Sequence, residues 1–429
     1  MRGGRSSGGH TRRRQPRWLA SLLLNGLLLL AVFAPSCAPR VEPGYDERVR
    51  QAVGDRAFEL VRYEITVAAK EVLGRATIRV SDAAGAESRG LVLRYLETAH
   101  LLSRTRDEAE ALTAAGGSPQ EVARLERRVT ALRERQAAIA PTVERIIESQ
   151  VAAVLADEDL GWLGTPLPPP AFDFTETPTY LVLSPRDEIR TRLGIYLQPG
   201  LSIREREELE ATLEAELDNT SALVAGTGGF STWPAMMVDT AGLEWSLSTV
   251  AHEWVHVYLA LFPLGRAYLD DSNMTAINET VATLVGDEVG ARALRRFYPD
   301  LVTEAAAPHS ETPPDRDGQP PEFDFREEMR RTRAQVDELL AAGRVEEAEQ
   351  YMEARRLIFV ENGHNIRRLN QAYFAFHGSY RTGPAAPSED PILPRLERLR
   401  AESGSLGEFV AQVRGLSRFE ELLALVPEA

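Results

Sequence analysis

The stretch TVAHEWVHVYL, residues 249–259, decides how the rest of this sequence is interpreted. It contains the pattern His-Glu-x-x-His, formed by His252, Glu253 and His256. Residues four apart on an α-helix lie on one face, so the two imidazoles could bind the same ion. Glu253 could polarise a water at that ion and accept its proton. The stretch therefore predicts either a metal site or three polar residues on an ordinary helix.

The residues around the pattern favour a buried helix. Apolar side chains surround it, and Pro263 is expected to end it, because proline lacks the N–H and clashes with the preceding turn. A rigid, dry environment of this kind suits a metal site. The five-residue pattern also occurs by chance, so a third ligand is the test.

A candidate third ligand lies in INETVATLVGDEVG, residues 277–290. This segment has a helical pattern, and Glu279 is far enough along the chain from the first helix to allow a loop and a return. Small residues share its face, namely Ala282, Thr283 and Gly286. They would let two helices approach as closely as a shared ion requires. The alternative is a surface glutamate beside a stripe that serves tight packing only.

His-Glu-x-x-His followed on a second helix by Asn-Glu-x-x-Ala resembles the gluzincin group of zinc metallopeptidases, which includes thermolysin-like and aminopeptidase-like enzymes. The resemblance covers residues 234–290. It implies one zinc ion per chain bound by His252, His256 and Glu279, with Glu253 as the catalytic base.

The same resemblance implies a zincin-like fold with an edge strand just before the motif helix. That strand would bind a peptide or protein substrate as an added strand, and PAMMVDT, residues 234–240, is placed for this role. The chain departs from the thermolysin-like pattern at Thr283, where those enzymes have an aspartate that supports a ligand histidine. Asp287 or a backbone carbonyl would have to replace it.

A looser resemblance lies near the C-terminus. The segments RRLNQAYFAFHGSY, residues 367–380, and GEFVAQVRGLSRFEELL are similar to the tail of a family of exported bacterial aminopeptidases. This implies that the C-terminal helices return to the active site. Peptide hydrolysis needs a hydrogen-bond donor for the oxyanion, and Tyr380 is the first candidate and His377 the second. The alternative for either residue is a structural place in the core.

The order of the elements predicts an α+β fold, with a small mixed sheet flanked by mainly helical N- and C-terminal regions. We expect a tether and helical hairpin in 38–165, a zincin-like core in 170–300, and a C-terminal helical region in 301–429 that completes the cleft. Further expected elements are strands at 179–185, 194–201 and 221–226, a helix at 202–218, and helical hairpins at 107–157 and 324–361.

The N-terminus predicts an export signal of the lipoprotein type, residues 1–37. Arginines without acidic residues precede an apolar run at 18–33, which is short for a membrane span. The segment FAPSC resembles a lipobox, which implies that Cys37, the single cysteine, is acylated and holds the protein on the membrane outside the cytoplasm. A secreted form and an uncleaved anchor are the alternatives.

The net charge of −15 argues against nucleic acid as a partner. The sequence thus predicts an extracytoplasmic zinc peptidase, with the choice between internal and terminal cleavage left open. A cell-surface lipoprotein with a structural zinc site is the main alternative and predicts a fourth protein ligand. A helical scaffold with a chance motif is the third and predicts no metal.

Overall fold

The computed structural model describes residues 44–60, 63, 82–114, 118–161, 164–239, 242–304, 323–387 and 389–427. The predicted export signal and Cys37 lie outside the described residues. Within the described ranges, no helix combines the length and the apolar composition that crossing a membrane requires.

The structure contains two groups of elements, helices and short strands. The helices are α1 (Tyr45–Val53), α2 (Ala86–Ala114), α3 (Pro119–Asp157), α4 (Ile203–Glu216), α5 (Leu243–Leu259), α6 (Pro263–Arg266), α7 (Ser272–Phe297), α8 (Pro299–Glu304), α9 (Phe325–Ala341), α10 (Val345–Glu361), α11 (Gln371–His377), α12 (Leu393–Glu402), α13 (Leu406–Val413) and α14 (Phe419–Leu425). The strands are β1 (Phe172–Phe174), β2 (Thr179–Pro185), β3 (Leu193–Leu197), β4 (Thr220–Gly226), β5 (Gly229–Phe230) and β6 (Ala235–Met237).

The strands form two three-stranded sheets. One has the order β3-β2-β4 and is antiparallel throughout. The other has the order β1-β6-β5, in which β6 runs parallel to β1 and antiparallel to β5. The α+β prediction is confirmed, while the expected single sheet divides into two.

The prediction that residues 234–240 form an edge strand is wrong. β6 lies in the middle of its sheet, and its three residues are buried. The chain turns back just before it, so that Gly229 pairs with Met237 and Phe230 with Met236. This return depends on pairing between neighbouring segments, which the apolar pattern of 234–240 alone does not reveal. The edge strands of this sheet are β5 and β1.

Both helical hairpins are present. The first is longer than predicted, because α2 begins at Ala86 rather than near residue 107. The second turns at Gly343, as expected, where a φ of 72° lies in the left-handed region that glycine adopts without strain.

Two glutamates of α3 cover the outer edge of β1. Glu148 accepts a hydrogen bond from the backbone N–H of Phe172 at 3.0 Å, and Glu144 accepts one from Phe174 at 2.9 Å. Glutamates four apart on a helix are spaced like alternate residues of a strand, so each carboxylate meets one outward-facing N–H. The first hairpin is therefore part of the core and not a separate arm.

The antiparallel sheet has the same arrangement at its edge strand β4. Glu210 of α4 accepts from the N–H of Val224 at 2.6 Å, and Glu214 accepts from that of Ala222 at 3.0 Å. Glu210 is fully buried and also binds the guanidinium of Arg367 through both of its oxygens. The outer edges of β1 and β4 are thus closed by carboxylates.

Helices α5 and α7 contribute many residues to the largest apolar core. This core also contains residues of α2, α3, α12, α13 and α14. A second core joins α1 and α4 to the antiparallel sheet, and a third joins α9, α10 and α11. Within the largest core, α5 and α7 are consequently held by helices that precede and follow them in the chain.

We expect Glu210→Ala to lower the free energy of unfolding by about 3–5 kcal/mol, because it leaves the guanidinium of Arg367 without its carboxylate and the N–H of Val224 without its acceptor. Glu214→Ala is the matched control, since its side chain is partly exposed, and it should cost about 1 kcal/mol. Urea unfolding of both variants measures the difference. Equal losses would contradict the account of the buried carboxylate.

Candidate metal centre

Two glycines of α7 allow its backbone to touch that of α5. A Cβ added at Gly286 would lie 2.9 Å from the carbonyl oxygen of Ser248 and 3.0 Å from Cβ of His252. A Cβ at Gly290 would lie 2.7 Å from the backbone nitrogen of Ser248. Such distances leave no room for a side chain, so the predicted close approach of the two helices is confirmed.

The close approach brings three donor atoms together. His252 Nε2 lies 3.0 Å from His256 Nε2, and Glu279 Oε2 lies 3.5 Å from the first nitrogen and 3.6 Å from the second. A tetrahedral ion with bonds of about 2.0–2.1 Å separates its ligand atoms by about 3.3 Å, within the range of these distances. This group could hold a metal ion.

The carboxylate of Glu279 supports this assignment independently. Its side chain is almost fully buried, and Oε2 has no hydrogen-bond partner among the described residues. A carboxylate oxygen that lacks a hydrogen bond in the interior is costly unless a positive charge lies beside it. A cation held by Oε2 and the two imidazole nitrogens would satisfy it, so the residues fit a metal ion.

The electrostatics of the group also favour positive charge. Burial alone would lower the pKa of His256, but Glu279 reverses the effect and raises it to about 9. Burial opposes ionisation of Glu279, yet the two histidines outweigh it and hold the pKa of that carboxyl well below its usual range. Protons and a metal ion therefore compete for the same nitrogens.

Asn278 orients one of the ligand histidines. Its Oδ1 lies 2.7 Å from His256 Nδ1, and its Nδ2 donates to the carbonyl of Leu264 at 3.4 Å. With Nδ1 donating to the amide oxygen, Nε2 is left as the acceptor that a metal ion needs. Sequence reasoning missed this role, although the residue stands beside Glu279 in the Asn-Glu pair.

Thr283 stands where the thermolysin-like enzymes have the supporting aspartate, and Asp287 was the candidate side chain to replace that aspartate. Thr283 Oγ1 donates to the carbonyl of Glu279 at 2.8 Å, within its own helix. Burial raises the pKa of Asp287, while the nearby His252 lowers it to a smaller extent. The side-chain hydrogen bond that supports a histidine of this group comes from Asn278, at His256.

Glu253 lies under the edge strand β5. Its Oε2 accepts a hydrogen bond from the hydroxyl of Ser231. Its Oε1 occupies the space beside Gly229, where an added Cβ would lie only 2.0 Å away. The glycine allows the strand to cross the carboxylate directly, and Ser231 restricts how the carboxylate can rotate. Neither contact was anticipated from the sequence.

The two candidates for stabilising the oxyanion, Tyr380 and His377, have different surroundings. The ring of Tyr380 lies 6.4 Å from that of His252, and nearby Glu279 together with burial holds the pKa of its hydroxyl well above the usual value. The ring of His377 instead packs 4.3 Å from Tyr373, and burial lowers its pKa to about 4. Of these two, only Tyr380 has a ring contact with the metal-binding group among the described residues.

A row of aromatic rings leads away from this group, each in contact with the next, and we call it the aromatic wall. Its members are Tyr380, Phe376, Tyr180, Tyr196, Phe230 and Phe58, with successive centroid distances of 6.2, 5.8, 4.6, 4.4 and 5.7 Å. Five of the six remain partly exposed, and Phe230 is buried. The rings come from α11 and the loop after it, from both sheets and from the segment after α1.

No family model, curated protein or solved structure matches this chain.

Gly290→Ala should force α5 and α7 apart, because the added methyl group meets the backbone of Ser248. We expect a loss of about 1–3 kcal/mol in the free energy of unfolding and weaker metal binding. Gly90→Ala is the control, since that helical glycine faces only the flexible end of Arg94, and it should stabilise by up to about 1 kcal/mol. Thermal unfolding and metal titration test both variants, and equal behaviour would contradict the close contact.

Proposed function

We propose that this protein is a zinc-dependent peptidase that acts outside the cytoplasm. The observation that carries the proposal is the buried Oε2 of Glu279, which has no hydrogen-bond partner among the described residues and faces the Nε2 atoms of His252 and His256. Glu253 lies next to this group and is not one of its three ligands. Metal-assisted hydrolysis uses this combination of three metal ligands and a separate carboxylate.

Zinc is the ion that this donor set suits best. Two imidazoles and one carboxylate form the protein ligand set of many catalytic zinc sites, which keep a position for water or substrate. When bound, zinc makes its water acidic near neutral pH and polarises the substrate carbonyl. The alternative of a purely structural zinc site calls for a fourth protein ligand, whereas the metal-binding group of the described residues contains three.

Glu253 would transfer the protons, and Tyr380 would stabilise the oxyanion. Since Oε2 of Glu253 already accepts from Ser231, Oε1 is the oxygen that would take the proton of the attacking water and return it to the leaving amine. Tyr380 carries its proton at neutral pH, as an ordinary phenol does, and nearby Glu279 and burial raise its pKa further. Its hydroxyl would donate to the oxygen that becomes negatively charged.

The substrate would lie along β5 rather than β6. The N–H of Val238 donates to the carbonyl of Gly228 at 3.1 Å, and hydrogen-bonded and non-bonded pairs alternate along an antiparallel ladder. The N–H and carbonyl of Gly229 therefore point away from β6. An extended peptide could pair with them. Its side chains would then lie beside the aromatic wall, and its backbone would pass close to Glu253.

The outer edges of β1 and β4 do not compete for such a peptide. Carboxylates of α3 and α4 already accept from their outward N–H groups. Among the sheet edges of the described residues, β5 is therefore the one that lies next to Glu253 without such a glutamate pair.

The function is tested by zinc content and peptide hydrolysis of the full chain. We expect one zinc per chain in the wild type and in Glu253→Gln, and loss of zinc in Glu279→Ala. Glu253→Gln should reduce kcat by about 10²–10⁴-fold on a peptide library, because the base is removed while the ion stays. Glu244→Gln, an exposed position of the same helix, is the control and should keep full activity. Absence of zinc, or full activity of Glu253→Gln, would refute the proposal.

We also propose that a lipid on Cys37 anchors the protein on the outer side of the cell membrane. Cys37→Ser should move the protein from the membrane fraction to the soluble extracytoplasmic fraction. Retention of this variant in the membrane would contradict the lipid anchor without affecting the proposed chemistry.

A further inference from the structure

The two carboxylate oxygens of Glu279 have different partners. Oε1 accepts a hydrogen bond from the hydroxyl of Tyr268 at 2.5 Å. Oε2 has no hydrogen-bond partner among the described residues and faces the nitrogens of His252 and His256. The side chain of Tyr268 therefore distinguishes two otherwise equivalent oxygens.

Tyr268 is held in place by its loop, which joins α6 to α7. Its backbone N–H donates to the carbonyl of Gly265 at 3.3 Å, and its own carbonyl accepts from the hydroxyl of Thr275 at 2.5 Å. Its ring meets that of His256 edge-on at 6.0 Å. Contacts on the backbone and on the ring both fix the hydroxyl against the carboxylate.

The hydroxyl of Tyr268 is the donor of this hydrogen bond, and Oε1 of Glu279 is the acceptor. A protonated phenol beside a carboxylate forms a charge-assisted hydrogen bond, which is stronger and more directional than one between neutral groups. Rotation of the carboxylate would break this bond.

We propose that Tyr268 is a positioning residue that makes Glu279 bind the ion through Oε2 alone. A free glutamate can bind a metal through both oxygens. A second bound oxygen would take up coordination space that a catalytic ion keeps for water or substrate. The inference rests on the metal site of the proposed function but not on peptide hydrolysis.

The test uses Co²⁺ bound to the full chain, because cobalt accepts the same ligands and its visible absorption weakens as coordination number rises. Tyr268→Phe keeps the ring beside His256 and removes only the hydroxyl. We expect this variant to retain cobalt with markedly weaker visible bands than the wild type. Tyr298→Phe, which loses a buried hydrogen bond to Gln150 at 3.1 Å, is the control and should keep the wild-type spectrum.

An unchanged spectrum in Tyr268→Phe would overturn the inference and leave the metal site intact. Failure of the wild type to bind cobalt or zinc would instead overturn the proposed function. If Tyr268→Phe does not fold, as judged by thermal unfolding without metal, Thr275→Val loosens the same loop and keeps the hydroxyl. That variant should show a partial loss of band intensity, and a wild-type spectrum would then overturn the inference.

Discussion

The contact between α5 and α7 is the constraint on which the rest of the structure depends. Ligand side chains on two helices can share one ion only if the helix axes are close, and Gly286 and Gly290 remove the side chains that would prevent this. Because His252 and His256 lie on consecutive turns of α5, the close approach of the two helices is enough to bring both imidazoles near Glu279. The apolar cores around the two helices maintain this spacing, and several of the other helices take part in them.

Buried carboxylates have a second, structural use in this fold. Glu144 and Glu148 close one sheet edge, and Glu210 and Glu214 close another. A buried carboxylate is expensive unless its oxygens are paired, and the backbone N–H groups of an edge strand supply partners in the required spacing. Closing these edges protects the sheets from unwanted pairing and leaves β5 beside the site.

The sequence allowed the helices and the pair His252 and His256 to be identified, because both depend on short-range spacing. Glu279 lies farther along the chain and was identified from the small residues on its helix face and from the resemblance to a known Asn-Glu pattern. The edge-strand assignment failed because strand pairing is decided by segments outside the strand itself. The contacts of Ser231 with Glu253 and of Tyr268 with Glu279 were also not predicted. A single hydroxyl residue in a loop is part of no periodic sequence pattern, and its partner is set only in the folded chain.

Anomalous diffraction at the zinc absorption edge, on crystals of the full chain grown with zinc, tests the central claim most directly. The account predicts a single strong peak in contact with Nε2 of His252, Nε2 of His256 and Oε2 of Glu279, at about 2.0–2.2 Å from each. A crystal that shows no peak between α5 and α7, or a peak bound by a different set of side chains, would contradict the claim that the contact of these helices builds a metal centre.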